Sequence, residues 1–77
     1  MDDEQKRRAA SALDKAAEAV GSRAELGRML GISGPAVRQW QVVPAERVVS
    51  VERASGIRRQ ELRPDLYEGD FAFAASS

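Results

Sequence analysis

The sequence predicts an all-α domain of five short helices. Apolar residues recur three and four positions apart in several segments, glycine or proline follows these segments, and residues suited to N-caps precede the second and third. With 77 residues, the chain has the length of one small domain whose core is marginal without further support such as oligomerisation. We expect this domain to cover residues 1–67 and residues 68–77 to form a flexible C-terminal tail.

The first predicted helix covers Asp3 to Val20, a stretch rich in alanine and other strong helix formers. Gly21 ends it. Its apolar face, at i, i+3, i+4 and i+7, comprises Leu13, Ala16, Ala17 and Val20. These positions predict that one side of the helix lies on the core.

The second predicted helix begins at Arg23, because Ser22 is a good N-cap and Glu25 can complete a capping box. Its apolar face comprises Leu26, Met29 and Leu30. Gly27 lies among them without a side chain, so another helix could cross closely there. Gly31 follows the helix, where a left-handed glycine commonly ends one.

The third predicted helix is capped by Ser33, accepts Pro35 in its first turn and runs to about Gln41. Val37 and Trp40 share one face, which favours Trp40 as a core residue over a base-stacking one. Two helices joined by a short glycine turn fit a DNA-binding helix-turn-helix, whose second helix lies in the major groove. A helical hairpin used only for packing or protein binding fits the same pattern.

Pro44 suits the first position of a fourth helix, which we expect to run from Ala45 to about Ser55 and to stop at Gly56. Its predicted core face comprises Val48, Val51 and Ala54. Ile57 and Leu62 anchor one more turn from Arg59 to Leu62, which ends at Arg63-Pro64 because a residue before proline avoids the helical region. Leu66 and Tyr67 are expected to fold back on the bundle.

Composition restricts the chemistry. The chain has no cysteine and no histidine, which excludes disulfides, histidine bases and the usual zinc sites. We therefore expect no cofactor, no metal, no small-molecule substrate and no enzyme activity. No apolar run reaches the roughly 20 residues that span a bilayer, so we expect no membrane contact and a soluble, cytoplasmic protein.

The formal net charge of zero argues against nucleic-acid binding, but the charges are unevenly distributed. Residues 23–63 contain eight arginines and four glutamates, a net charge of +4. The acidic residues gather at the two ends of the chain. Lys6, Arg7 and Arg8 are interpreted as solvated helix charges, with DNA contact as the alternative.

Several segments resemble a known family of regulators. Trp40-x-x-Val43-Pro44 and Glu61-Leu62-Arg63-Pro64-Asp65 stand in one small domain and resemble the Cro repressors of lambdoid phages and the related YdaS-like prophage regulators. The resemblance covers about residues 20–67. It implies a five-helix, lambda-repressor-like domain with the helix-turn-helix at helices 2 and 3, which binds operator DNA as a dimer and represses transcription. Some Cro proteins are mixed α/β, but these segments resemble the all-α branch.

The helix at residues 34–41 is predicted to enter the major groove of the operator. Arg38 and Gln39 suit guanine and adenine respectively, although contact of Arg38 with phosphate or solvent alone is an open alternative. The start of the helix offers one hydroxyl and otherwise apolar contacts, from Ser33, Gly34, Pro35 and Ala36. Predicted contacts to the DNA backbone come from Arg23, Gln41, Arg47 and the amides near Pro44 and Ala45.

Paired half-sites in DNA would require a dimer, which we expect to be weak. An interface could involve the exposed side of Val48, Val49 and Ile57, or Phe71 and Phe73 in the tail. The competing hypothesis is a protein-interaction or toxin–antitoxin regulatory module with the same fold, because YdaS-like proteins are also described as toxin–antitoxin regulators. Acidic or apolar residues over the face of Arg23, Arg38 and Gln41 would favour it.

Overall fold

The computed structural model describes residues 1–67, and all regular secondary structure in that range is helical. The helices are α1 (Asp3–Val20), α2 (Arg23–Leu30), α3 (Gly34–Arg38), a 3-10 helix (Ala45–Arg47), α4 (Val48–Ser55) and α5 (Arg59–Leu62). Residues 64–67 are also helical. The expected tail at 68–77, with Phe71 and Phe73, lies outside the described residues. Within residues 1–67, no helix is long and apolar enough to cross a membrane.

The bounds predicted for α1 are confirmed, and local hydrogen bonds explain both ends. Asp2 and Gln5 form a complete capping box: the backbone N–H of Gln5 donates to the Asp2 carboxylate at 2.7 Å, and the backbone N–H of Asp2 donates to Gln5 Oε1 at 3.0 Å. At the other end, Gly21 takes a φ of 119°, and its N–H donates to the Ala17 carbonyl.

The bounds predicted for α2 are confirmed as well, but its capping box and apolar face differ from expectation. The Ser22 hydroxyl accepts from the Glu25 N–H at 3.0 Å, whereas the Glu25 carboxylate pairs with Arg28 at 3.3 Å. The prediction that Met29 lies on the core face is wrong, because its exposed fraction is 55%. Leu26 and Gly27 are the buried residues of α2. Successive residues of an α-helix are about 100° apart around its axis, so Met29 lies outside the helix face that is centred between Leu26 and Gly27.

Helix α3 ends at Arg38 and does not continue to Gln41 as expected. The amide of Trp40 donates to the Val37 carbonyl at 3.0 Å, which is the tighter i to i−3 pattern of a closing turn. Val43, three residues later, is fully buried in the core, and Pro44 has no N–H to continue a helix. The chain therefore leaves the helical path early so that Val43 can enter the core.

The fourth predicted helix is divided. Ala45–Arg47 form a 3-10 turn, closed by the Arg47 N–H on the Pro44 carbonyl at 2.9 Å, and α4 begins only at Val48. Gly56 ends α4 in the left-handed region with a φ of 80°, as predicted. The expectation that Val48 offers an exposed side for dimer contact is wrong, because Val48 is fully buried.

The core brings together one face of every α-helix. Its fully buried large side chains are Leu13, Leu26, Val37, Val43, Val48, Val51 and Leu62. Trp40, Ile57 and Tyr67 are partly buried and pack against this cluster, so the core position predicted for Trp40 is confirmed. Leu66, which was expected to fold back with Tyr67, is instead 45% exposed.

Candidate nucleic-acid interface

Helices α2 and α3 approach each other closely at Gly27. A Cβ atom at this position would lie 2.9 Å from the carbonyl oxygen of Ile32, 3.1 Å from that of Ser33 and 3.2 Å from Val37 Cγ2. At the start of α3, a Cβ at Gly34 would lie 3.5 Å from the Cα and Cβ of Ala24, in ordinary contact. The absence of a side chain at Gly27 thus permits the packing that fixes α3, as its place in the sequence predicted.

One side of α3 is buried in the core, and the two residues that follow Val37 are exposed. The Val37 side chain is fully buried, whereas Arg38 and Gln39 are exposed. Within residues 1–67, neither the Arg38 nor the Gln39 side chain forms a hydrogen bond or an ion pair. A cation and an amide therefore project from a backbone held in place by the core.

The first residues of α3 present little hydrogen-bonding chemistry. Ser33 is exposed, and its hydroxyl accepts from the Ala36 N–H at 3.3 Å as the N-cap. This hydroxyl can still donate one hydrogen bond. Pro35 is exposed, while Gly34 and Ala36 are half-buried. The surface that these residues form is small and mostly apolar.

Arg23 is engaged inside the protein. Its guanidinium donates to the backbone carbonyls of Val37 at 3.4 Å and Trp40 at 3.2 Å, and it pairs with Asp14 at 2.7 Å. The Val37 carbonyl also accepts from the Trp40 N–H, so the guanidinium adds a second donor there, and a basic side chain near a helix end commonly supplies such donors. Arg23 consequently links α1 and α2 to the end of α3, a positioning contact that the sequence did not reveal.

The other predicted contact residues lie beyond α3. Gln41 is exposed and Arg47 is half-buried. Gln41 lines a surface groove together with Asp3, Lys6, Arg7 and Ala10 of α1. The fold therefore places basic residues of the first helix beside the segment that follows α3, which no spacing in the sequence indicates.

The Glu-Leu-Arg-Pro-Asp segment holds the connection after α3. Arg63 donates two hydrogen bonds to the Asp65 carboxylate, at 3.0 and 2.9 Å, and a third to the Val43 carbonyl at 3.0 Å. The hydrogen bonds between Arg63 and Asp65 raise the pKa of the guanidinium and lower that of the carboxyl. The two segments on which the family resemblance depends are thus in contact, and both have a structural role.

Arg59 fixes the start of α5. The Glu52 carboxylate accepts from the Arg59 backbone N–H at 2.8 Å and from its guanidinium at 3.0 and 2.8 Å. The side-chain hydrogen bond from Arg59 lowers the pKa of Glu52 despite partial desolvation. The guanidinium also lies 5.6 Å from the centre of the Tyr67 ring, within cation–π distance.

Comparison with known proteins places the chain in a family. Residues 13–70 match the family model described as "Bacterial toxin YdaS". The chain belongs to the YdaS family. One YdaS relative is the Escherichia coli K12 protein named "Putative transcriptional regulator YdaS", which is 40% identical over 58 residues, covering 68% of this chain and 59% of the relative. The chain thus spans less than two thirds of that YdaS protein. No solved structure matches the chain.

Proposed function

We propose that this YdaS family member is a sequence-specific DNA-binding transcriptional repressor of Cro type. In this proposal, residues 1–67 form a lambda-repressor-like domain, α2 and α3 are the helix-turn-helix, and α3 enters the major groove of an operator. The observation that carries the proposal is the contrast at the end of α3 between the buried Val37 and the exposed Arg38 and Gln39, whose side chains have no hydrogen-bond or ion-pair partner within residues 1–67. The name of the E. coli relative, a transcriptional regulator, supports it.

Base recognition in this proposal comes from two side chains. Arg38 can donate to guanine O6 and N7, and Gln39 can pair with adenine N6 and N7. A bidentate pair contributes about 1–3 kcal/mol of discrimination, or about 5- to 150-fold in affinity. The apolar start of the helix contributes contacts of a different kind, such as packing on a thymine methyl, from Gly34, Pro35 and Ala36.

Orientation on the duplex comes from the residues around α3. Gln41 and Arg47 contact phosphates, and the Ser33 hydroxyl has one donor left for a phosphate or a base. Arg23 acts indirectly, because its guanidinium is occupied by the carbonyls of Val37 and Trp40. Its hydrogen bonds hold the end of α3 against α2.

The repressor is proposed to bind as a weak homodimer on two half-sites about one helical turn apart. Val49 and Ile57, both half-buried, are the described residues of the expected apolar patch that keep exposed surface. Because this surface is small, we expect DNA to drive the pairing of the two chains.

The test is equilibrium binding of the purified chain to duplexes from the region upstream of its own coding sequence, across a salt series. Site-selective binding that weakens with salt is expected, and Arg38→Ala or Gln39→Ala should lower selectivity by about 5- to 150-fold. Arg28→Ala is the matched control, because Arg28 is exposed and paired with Glu25. Equal binding to random and upstream DNA by the folded chain would refute the proposal.

A second candidate function is a protein-interaction module in a toxin–antitoxin system. The family model is described as a toxin, and the exposed Met29 lines a groove with Leu30, Ser50, Arg53 and Ala54. The flexible thioether of methionine suits an adaptable protein contact. A folded chain that fails to exceed random-DNA binding even at low salt would favour this function.

A further inference from the structure

The groove beside Gln41 contains two cations without internal partners. Lys6 and Arg7 are exposed, and within residues 1–67 neither forms an ion pair. Their neighbour Arg8 differs, because it lies 3.8 Å from the Glu4 carboxylate on the same face of α1. Asp3 is the acid that lines the groove, so the cations outnumber it by one.

The helix dipole does not explain the position of these cations on α1. They follow directly on the first turn of the helix, a region where the helix dipole favours acids such as Asp3 and Glu4. Neither Lys6 nor Arg7 forms an ion pair within residues 1–67, although Arg7 also lines a second groove that contains Glu4 and Glu61. A partner outside the chain would account for both charges.

Because α3 is short, other elements must supply part of the proposed DNA contact. Its five residues span only about 7.5 Å, so the helix can place few side chains on a duplex. Gln41 follows the last residue of α3 by three positions and forms one wall of the groove, while Lys6 and Arg7 form another. A phosphate strand contacted by Gln41, as proposed above, would therefore lie beside these cations.

We propose that Lys6 and Arg7 bind the DNA phosphate backbone beside α3 and so extend the DNA contact of the domain onto α1. This inference rests on the proposed function. It replaces the interpretation of these two residues as solvated helix charges, which the groove gives reason to revise. The partner is a phosphodiester chain, so the contact adds affinity and salt dependence without reading bases.

The experiment measures the slope of log affinity against log salt for the chain on its selected duplex. A neutralised phosphate contributes about 0.9 to this slope on B-form DNA. Lys6→Ala and Arg7→Ala should each reduce the magnitude of this negative slope by about 0.9, and the double variant should reduce it by about 1.8. Between 50 and 200 mM salt, each variant should then lose about 3.5-fold less affinity than the wild type.

Two further variants separate a phosphate contact from a general charge effect. Arg8→Ala removes the same charge one residue away from a side chain paired with Glu4, and should leave the slope unchanged. Asp3→Asn removes the acid of the groove and should raise affinity. The ratio of specific to random binding should stay constant in Lys6→Ala and Arg7→Ala. Because alanine is a strong helix former, the three alanine variants should keep the helical circular dichroism of the wild type.

Two results would overturn the inference while leaving the proposed function intact. One is site-selective binding with an unchanged slope in the double variant, and the other is an equal decrease in Arg8→Ala. Absence of site-selective binding by the wild type would instead overturn the proposed function and this inference with it.

Discussion

A methyl group added at Gly27 tests whether the close approach of α2 and α3 fixes the candidate interface. In Gly27→Ala, the new Cβ would lie 2.9 Å and 3.1 Å from two backbone carbonyl oxygens and 3.2 Å from Val37 Cγ2. Carbonyl oxygens of a tight turn cannot rotate away as the end of a side chain can. The turn and α3 must therefore move away from α2.

The size of the effect follows from two opposing terms. Overpacking of this kind costs about 1–3 kcal/mol, and the two rigid backbone contacts favour the upper end. Alanine is better than glycine inside a helix by about 1 kcal/mol, which offsets part of that cost. The net loss in the free energy of unfolding should be about 2 kcal/mol, equivalent to a decrease in Tm of about 8–16 °C.

Urea titration followed by circular dichroism measures this loss, and Gly34→Ala is the matched control. Neither Gly27 nor Gly34 has a positive φ, but a Cβ at Gly34 meets only Ala24 at an ordinary 3.5 Å. Gly34→Ala should leave the free energy of unfolding unchanged or raise it by about 0.4–1 kcal/mol. A Gly27→Ala variant as stable as Gly34→Ala would refute the reasoning about the α2–α3 contact.

The remaining predictions concern the arginine contacts. Arg23→Met should lower the free energy of unfolding by about 1.5–3 kcal/mol, because it leaves two carbonyls without a charged donor. Arg28→Ala, at an exposed ion pair, is the control and should change the free energy of unfolding by less than about 0.5 kcal/mol in the same urea titration. Equal losses would contradict the positioning role of Arg23. The pKa of folded Glu52 lies below its usual 4.5, so its contact with Arg59 stabilises the fold fully above about pH 4.5 and is lost as the pH falls through the lowered pKa. Glu52→Gln should therefore reduce the loss of stability on acidification from pH 5 to 3, measured by urea titration at each pH, and an unchanged acid dependence would argue against this contact.

Helix ends were predictable where the signal is local. Gly31 and Gly56 end α2 and α4 in the left-handed conformation, and Ser22 and Ser33 cap α2 and α3, as their residue types indicate. These features depend on hydrogen bonds within about four residues. Sequence patterns are most informative at that range.

The features that the sequence did not predict depend on contacts between distant segments. Arg23 reaches carbonyls 14 and 17 residues away, and Arg63 reaches one 20 residues away. Burial of Val43 ends α3 early, and the contact at Gly27 turns Met29 away from the core. Which arginines are occupied by the fold, and which are free to face DNA, could not be decided from the sequence. The contacts predicted for Arg38 and Gln39 stay predictions.

A dimethyl sulfate footprint on the selected duplex tests the central proposal most directly, because this reagent methylates guanine N7 in the major groove. We predict protection of a guanine N7 in each of two half-sites about 10 base pairs apart, and loss of this protection in Arg38→Ala at protein concentrations that still saturate the duplex. Two results would contradict recognition of the major groove by α3. One is saturated DNA with no protected guanine N7, and the other is protection that persists in both Arg38→Ala and Gln39→Ala.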